Sequence, residues 1–211
     1  GEKGGEKGGG GDRCAVLTGL GSTLTSLSLR GQRDDLSIYG RSAALESLSQ
    51  VTYLCLNGLG TVAEGIRGLA KTCSTLTGLR ELRLANLGTR ATDRKPGILD
   101  LPYLRRFEFV GCRPELVADW GQVEMLVPKL NEIRIFGTQA LRLDDDAAMG
   151  WISRRLLQVR VLTVEGCQGV TEGQANVIRT IRKSLKVCVD EADEDELRWL
   201  TRSRKAAERL G

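Results

Sequence analysis

The sequence predicts an α/β repeat fold, in which parallel strands form one open, right-handed sheet and helices cover one side of it. Apolar residues recur at places one, four and six of a six-residue run, as in Leu130, Ile133 and Ile135. Places four and six are two residues apart, so in a strand both side chains point to one face. Seven such runs begin at residues 24, 51, 79, 104, 130, 159 and 184, the last with Ser184 at place one. A spacing of 25–29 residues between adjacent runs is typical of repeat architectures and predicts six or seven strands.

The residues that follow each run add a second pattern. Place eight is Asn86 in one run, and place nine is Cys112 in one run and Cys167 in another. Glycine takes place eight in the other runs that keep the pattern: Gly31, Gly58, Gly111, Gly137 and Gly166. Over about residues 15–190, this pattern resembles the leucine-rich repeat, L-x-x-L-x-L-x-x-N/C-x-L. The resemblance is closest to the cysteine-containing subclass, many of whose members sit in F-box proteins. It implies a horseshoe-shaped solenoid with a parallel concave sheet and convex helices.

Three runs depart from this pattern at place nine, where they hold Gln32, Leu59 and Leu87. The pattern therefore does not define the turn after those strands. Thr138 takes the same place in another run and is predicted to form a backbone hydrogen bond like that of a cysteine. The segment 88–103 has little periodicity, so a loop or a single turn is expected there.

Three parts of the chain are expected. Residues 1–13 are rich in glycine and predict a flexible tail. Residues 14–190 form the repeat array. Residues 191–211 begin with acidic and end with basic side chains, which suits the helix dipole and predicts a C-terminal capping helix.

Helices are predicted between several strands. Apolar residues follow helical spacing over 62–73, 116–127 and 148–156. Thr171 and Gln174 have the spacing of a capping box, which predicts that a further helix begins after Thr171.

The composition offers no catalytic constellation. The chain has no histidine, which excludes histidine-based triads. Its six cysteines are scattered without a Cys-x-x-Cys pair and are interpreted as reduced thiols of an intracellular protein. Asp144, Asp145 and Asp146 precede a predicted helix and are interpreted as helix-capping residues rather than a cation site. The protein is therefore predicted to be a non-enzyme with no cofactor and no bound metal.

Location is only weakly constrained by the sequence. No apolar run approaches the roughly 18 residues of a membrane span, so no membrane insertion is expected. The net charge of +4, from 31 basic and 27 acidic residues, is too small to argue for nucleic acid. An intracellular and preferably cytoplasmic location is expected. Import into an organelle through a removed peptide stays open.

The concave face is formed by places three, five and seven of each strand. At place three, Glu81, Arg106 and Glu132 alternate in sign, and at place five Arg83 and Arg134 flank an acidic residue. Such cross-strand pairs cancel most of the long-range field, whereas a phosphate-binding face keeps its arginines unpaired. Nucleic acid binding by the concave face is therefore not expected.

An apolar column runs beside these charges at place seven. It consists of Ala85, Val110 and Phe136, and Tyr53 is a second aromatic residue on the same face. Exposed apolar residues next to charges suit a protein partner. In the alternative interpretation, the turn or a neighbouring loop covers the column.

Two functions follow as hypotheses. The first is a non-enzymatic interaction module that binds a protein through its concave face or rim; an F-box adaptor role would need sequence beyond these residues. Its candidate contact residues are Tyr53, Ala85, Val110, Phe136, Arg83, Arg106 and Arg134. The alternative is a structural subunit of a large intracellular or organellar assembly, such as a ribonucleoprotein. That subunit would dock through convex and terminal surfaces, with RNA near Arg202–Arg209.

Overall fold

A computed structural model of the chain describes residues 23–30, 48–62, 65–89, 97–139, 141, 146–167, 169–190, 198 and 202. The predicted tail, residues 1–13, lies outside this part of the chain. Of the predicted capping helix, residues 191–211, only positions 198 and 202 are described, and both are helical.

Nine strands are found in the described residues. They are β1 (Ser26–Arg30), β2 (Tyr53–Val62), β3 (Glu81–Thr89), β4 (Ile98–Asp100), β5 (Arg106–Val110), β6 (Glu124–Leu126), β7 (Glu132–Phe136), β8 (Val161–Glu165) and β9 (Lys186–Asp190). Seven form one sheet in the order β1-β2-β3-β5-β7-β8-β9, and every neighbouring pair in it is parallel. The prediction of an α/β fold with a parallel sheet of six or seven strands is confirmed.

The register of this sheet follows the repeat. Place four of each strand lies opposite place four of the next, so that Leu82 is opposite Phe107 and Phe107 is opposite Ile133. The same holds for places three, five, six and seven. Each column of the sheet therefore holds one place of the repeat.

Four helices and one 3-10 helix complete the described elements. They are α1 (Gly65–Ser74), α2 (Pro114–Asp119), the 3-10 helix Trp120–Gln122, α3 (Asp146–Arg154) and α4 (Glu172–Ile181). Leu69, Leu116, Ile152 and Ile178 from these helices join the place-four and place-six side chains in one buried cluster. The helices therefore pack on the face of the sheet to which places four and six point.

Aromatic rings fill the middle of this core. The rings of Phe107 and Trp120 meet edge to face with centroids 4.9 Å apart, and Phe107 and Phe109 are 4.5 Å apart. Trp151 approaches Phe109 at 6.4 Å. Such ring pairs add about 0.5–1.5 kcal/mol each beyond the area they bury.

Two expectations about the connections are wrong. The predicted helix over 116–127 ends at Asp119, and β6 follows the 3-10 helix. The expected loop over 88–103 contains β4, which pairs in parallel with β6 as a separate two-stranded sheet. Leu99 is fully buried in β4 while its neighbours are exposed, which is the alternation of a strand.

The two strands that contain leucine at place nine, β2 and β3, are longer than the rest. β2 and β3 continue beyond their left-handed residues, Gly58 (φ 68°) and Asn86 (φ 52°), and Gly60 pairs with Leu87. Leucine offers no hydrogen-bonding side chain, and backbone pairing continues there instead. Val62 is accordingly the last residue of β2 rather than the start of a helix.

The start of α4 is as predicted. Thr171 accepts a hydrogen bond from the backbone N–H of Gln174, and the Gln174 side chain accepts one from the backbone N–H of Thr171. Helix α3 begins at Asp146, but Asp144 and Asp145 lie outside the described residues. No helix in the described ranges combines the length and the apolar character needed to cross a bilayer.

Candidate functional site

The face opposite the helices carries the predicted site residues. We call this surface, formed by places three, five and seven of β2, β3, β5, β7 and β8, the charged face. Its columns are those the sequence predicts: Tyr53, Glu81, Arg106, Glu132 and Val161 lie side by side at place three.

Arg106 is the centre of the place-three column. Its Nε donates a hydrogen bond to Glu132 Oε2 at 3.0 Å, and its Nη1 lies 3.8 Å from Glu81 Oε2. The hydrogen bond to Glu132 raises the pKa of Arg106 above its ordinary value. The side chains of Arg106 and Glu81 are 42% and 44% exposed, so this column faces solvent. Each pair is worth about 0.2–1 kcal/mol.

The place-five column is paired as well but less exposed. Arg83 Nε lies 3.8 Å from Glu108 Oε2. Arg134 lies opposite Glu108 in register, and its Nε donates to Glu165 Oε2 at 3.1 Å, at place seven of the next strand. The Arg134 guanidinium also lies 5.3 Å from the centroid of the Phe136 ring. Charges alternate in sign along this column as predicted, and Arg134 also pairs diagonally with Glu165 on the next strand.

The apolar column at place seven is buried. Ala85 and Val110 have no exposed surface and Phe136 is 3% exposed, and the three form a cluster separate from the main core. The interpretation of this column as exposed is therefore wrong, because all three side chains are buried. Exposure on the charged face therefore decreases from place three to place seven, toward the carboxyl ends of the strands.

Tyr53 lies at the more open end of the charged face. It is half-buried and lies opposite Glu81 in register. Burial and the nearby Cys55 thiol raise the pKa of Tyr53, although nearby Arg83 acts in the opposite direction. The phenol is therefore neutral at neutral pH and can donate a hydrogen bond to a partner.

The cysteines of the described residues are free thiols: Cys55, Cys73, Cys112, Cys167 and Cys188. Cys112 Sγ donates to the carbonyl oxygen of Leu84 at 3.2 Å, and Cys167 Sγ lies 3.4 Å from Glu165 O. Burial raises the pKa of Cys112 to about 12 and that of Cys167 to about 11. These two thiols are therefore uncharged structural groups.

Thr138 does not form the hydrogen bond predicted for it. Its side chain is fully buried, and its Oγ1 has no hydrogen-bond partner in the described part of the chain. Thr138 thus occupies place nine, as Cys112 does, but does not form the backbone hydrogen bond that Cys112 forms.

Chemistry at the described residues is limited. No group of three or more histidine, cysteine, aspartate and glutamate side chains that could hold a metal ion occurs among them. Of the predicted basic terminus, Arg202 is described and exposed, whereas Arg204, Lys205 and Arg209 lie outside the described ranges.

One group of exposed residues was missed by considering only places three, five and seven. Place two holds Arg80, Arg105 and Arg160, each exposed, immediately before β3, β5 and β8. The signal was present in the sequence, because arginine recurs at place two in three of the seven runs.

Neither a scan against protein-family models nor a search of curated proteins finds a match for this chain. Its function is therefore inferred from the geometry of the sheet and its surfaces.

Proposed function

We propose that this chain is a non-enzymatic leucine-rich repeat module that binds a partner protein on the charged face. The observation that carries this proposal is the ladder Glu81–Arg106–Glu132, which is internally paired and still nearly half exposed at its centre. A paired, solvent-facing ladder has little net field, so it favours a partner that matches its alternation over a uniform polyanion.

Backbone geometry at the repeat turns supports the leucine-rich repeat assignment. Place eight is left-handed wherever it is described, with φ between 52° and 68° at Gly58, Asn86, Gly111, Gly137 and Gly166. Cys112 at place nine then donates to the carbonyl oxygen of the preceding strand, as the motif requires. A horseshoe-shaped solenoid with this sheet on its concave side is the architecture we propose.

The contact area is expected at the place-three end of the charged face. Tyr53, Glu81 and Arg106 are accessible there, whereas Ala85, Val110 and Phe136 are too buried to offer area to a partner. Tyrosine is a common anchor at interfaces, and losing an anchor typically costs about 2 kcal/mol or more. Tyr53 is therefore the proposed anchor, while the charges provide specificity.

A site-specific cross-linking experiment tests this proposal. A photo-reactive benzoylphenylalanine is introduced in place of Val161, at place three of β8, and the protein is irradiated in extract of its source cells. The same group in place of the exposed Lys71 on α1 is the control, because α1 packs on the opposite face. We expect one defined protein adduct from position 161 that is absent from position 71.

The adduct must also depend on the anchor. Tyr53→Ala is expected to reduce the yield at position 161 by about tenfold, in a protein whose thermal melt is unchanged by more than a few degrees. Equal adducts from positions 161 and 71, or an adduct indifferent to Tyr53→Ala, would show that the charged face is not the interface.

The alternative, a structural subunit that docks through its convex surface, is supported by a different observation. Three large apolar side chains on the helical side are at least half exposed: Leu157 (69%), Ile181 (58%) and Val177 (50%). Surfaces of this kind often mark contacts with other subunits. The photo-reactive group in place of Val177 tests this, and an adduct from that position alone would favour the alternative.

A further inference from the structure

A row of exposed cations follows the edge of the sheet at which the strands begin. Its members are Arg80, Arg105, Lys129, Arg160 and Lys186, which we call the basic ridge, and all five side chains are exposed. They precede or begin β3, β5, β7, β8 and β9, which are consecutive neighbours in the sheet. The ridge therefore contributes one cation per strand across five strands. Arg80, Arg105 and Arg160 are at place two, Lys129 comes just before place one, and Lys186 is at place three, opposite Val161.

Backbone hydrogen bonds connect Arg80, Arg105, Arg160 and Lys186 through Asn131, which lies two residues after Lys129. The amide of Arg105 donates to Arg80 O at 2.7 Å, and the amide of Asn131 donates to Arg105 O at 2.9 Å. In the same way, the amide of Arg160 donates to Asn131 O and the amide of Lys186 donates to Arg160 O, each at 2.8 Å. With strands about 4.8 Å apart, the five cations span about 19 Å.

The ridge differs electrostatically from the charged face. No ion pair joins any of its five side chains to a carboxylate within the described ranges. Glu81 and Glu132, which begin β3 and β7, are both engaged by Arg106. Unpaired cations in a row keep their field, which is the property of a surface that follows a chain of phosphates.

An exposed aromatic ring lies beside Lys129 of the ridge. Tyr103 is 51% exposed and precedes β5, and Lys129 Nζ lies 4.3 Å from the centroid of its ring. Surfaces for single-stranded nucleic acids combine a basic track for the backbone with aromatic rings on which bases stack. A duplex keeps its base faces hidden, and the negative face of an aromatic ring does not attract the carboxylates of an acidic peptide.

We infer that the basic ridge binds a single-stranded nucleic acid, with the phosphates along Arg80, Arg105, Arg160 and Lys186 and a base against Tyr103. The ridge meets the charged face at Lys186, which is at place three of β9, whereas the anchor Tyr53 lies toward the other end of that column, in β2. The inference is therefore independent of the proposed protein partner, and either can fail without the other.

Fluorescence anisotropy with a labelled oligouridylate of about ten nucleotides tests the inference. We expect binding whose logarithmic dependence on salt, between about 50 and 200 mM, has a slope of about −2 to −3, as three to four phosphate contacts require. The charge-reduced variant is Arg80→Gln/Arg105→Gln. It should bind at least about tenfold more weakly and with a slope shallower by about 1.4.

The matched control removes the same charge elsewhere. Arg67→Gln/Lys71→Gln changes two exposed cations on α1, across the sheet from the charged face, and should alter the affinity by less than about twofold. Tyr103→Leu should weaken binding by about fivefold or more without changing the salt slope, because it removes stacking and no charge. An oligothymidylate arm measures any preference for ribose, and binding of either oligonucleotide supports the inference.

Three results would overturn it. The first is that no binding occurs at about 50 mM salt. The second is that the α1 control variant loses as much affinity as the charge-reduced variant. The third is that decaglutamate displaces the labelled oligonucleotide as effectively as oligouridylate does, and that Tyr103→Leu does not change this displacement. The last result would identify an acidic peptide as the ligand instead.

Discussion

Cys112 Sγ donates a hydrogen bond to the carbonyl oxygen of Leu84, 3.2 Å away in the neighbouring strand. The thiol thereby links the turn after β5 to the place-six core residue of β3. Cys167 makes a longer contact of the same kind to Ile135 O at 3.7 Å. The cysteine at place nine of these two repeats thus joins each repeat to the one before it.

The first prediction tests this link by substitution. Cys112→Ser should cost no more than about 1 kcal/mol, because the hydroxyl can still donate to Leu84 O. Cys112→Val should cost about 1–3 kcal/mol, because it leaves a buried carbonyl oxygen without that donor. Equilibrium unfolding in urea measures both changes.

Thr138→Val is the matched control for this pair. Thr138 Oγ1 is buried without a partner, so its replacement by an isosteric apolar side chain should leave stability unchanged or slightly raised. A Cys112→Val protein as stable as the parent would show that the bond to Leu84 contributes nothing.

The second prediction concerns alkaline pH. Burial raises the pKa of Cys73 and of Cys112 from 9.0 to about 12 each. Between about pH 9 and pH 12, these two thiols lose their protons in the unfolded chain but keep them in the folded chain. The free energy of unfolding should therefore be unaffected by these thiols below about pH 9 and fall as the pH rises above it, by at most about 1.4 kcal/mol per unit and thiol.

Urea midpoints compared between about pH 8 and pH 10.5 measure this decrease. Cys73→Ala is destabilising in itself but should show a shallower decrease, because one of the two thiols is gone. The same pH dependence in the variant and the parent would exclude Cys73 as a cause.

The register of the main sheet could be predicted residue by residue. Every run has the same length from place one to place seven, and parallel strands in a repeat align equal places. Arg106 opposite Glu132 follows from counting alone, and so does the burial of Phe107 and Ile133. The capping box at Thr171 was equally predictable, because it depends on two side chains three residues apart.

Other features could not be predicted from such counting. Alternation shows to which face Phe136 points, but it does not show what covers that face, and the column proved buried. β4 and β6 have three residues each, too few for a period to be recognised, and each depends on pairing with the other. Four residues of the basic ridge precede their strands, where alternation assigns no direction, and Lys186 is the first residue of β9.

The third prediction corrects the role expected for Phe136. Since the ring is buried, Phe136→Ala should lower the free energy of unfolding by about 3–5 kcal/mol instead of removing a partner contact. Arg83→Ala should cost less than about 1 kcal/mol, because its pair with Glu108 is partly solvated. Urea unfolding of both variants checks this, and a smaller loss for Phe136→Ala than for Arg83→Ala would contradict the buried column.

The fourth prediction rests on Arg182, a charged side chain that is only 7% exposed. Its guanidinium donates to Ile152 O at 3.2 Å, to Leu156 O at 2.9 Å and to Leu157 O at 2.6 Å, and it also contacts Val159 O. These carbonyl groups lie in the last turn of α3 and in the segment that leads to β8. Arg182 follows α4, and its own amide donates to Ile178 O at 2.8 Å. One side chain therefore satisfies the end of the preceding helix and fastens two repeats together.

Arg182→Met keeps much of the side-chain volume but removes every donor. It should cost about 3 kcal/mol or more, because several buried carbonyl groups lose a charged donor at once. Arg182→Lys should recover only part of this loss, since an ammonium cannot match the planar fork of the guanidinium.

Lys183→Met is the matched control, because Lys183 is the adjacent residue and is exposed, and it should change stability by no more than about 0.5 kcal/mol. Urea unfolding with a common slope measures all three variants. If Arg182→Met and Lys183→Met prove equally mild, the carbonyl cluster at the end of α3 must be satisfied by water, and the guanidinium is not what joins α4 to α3.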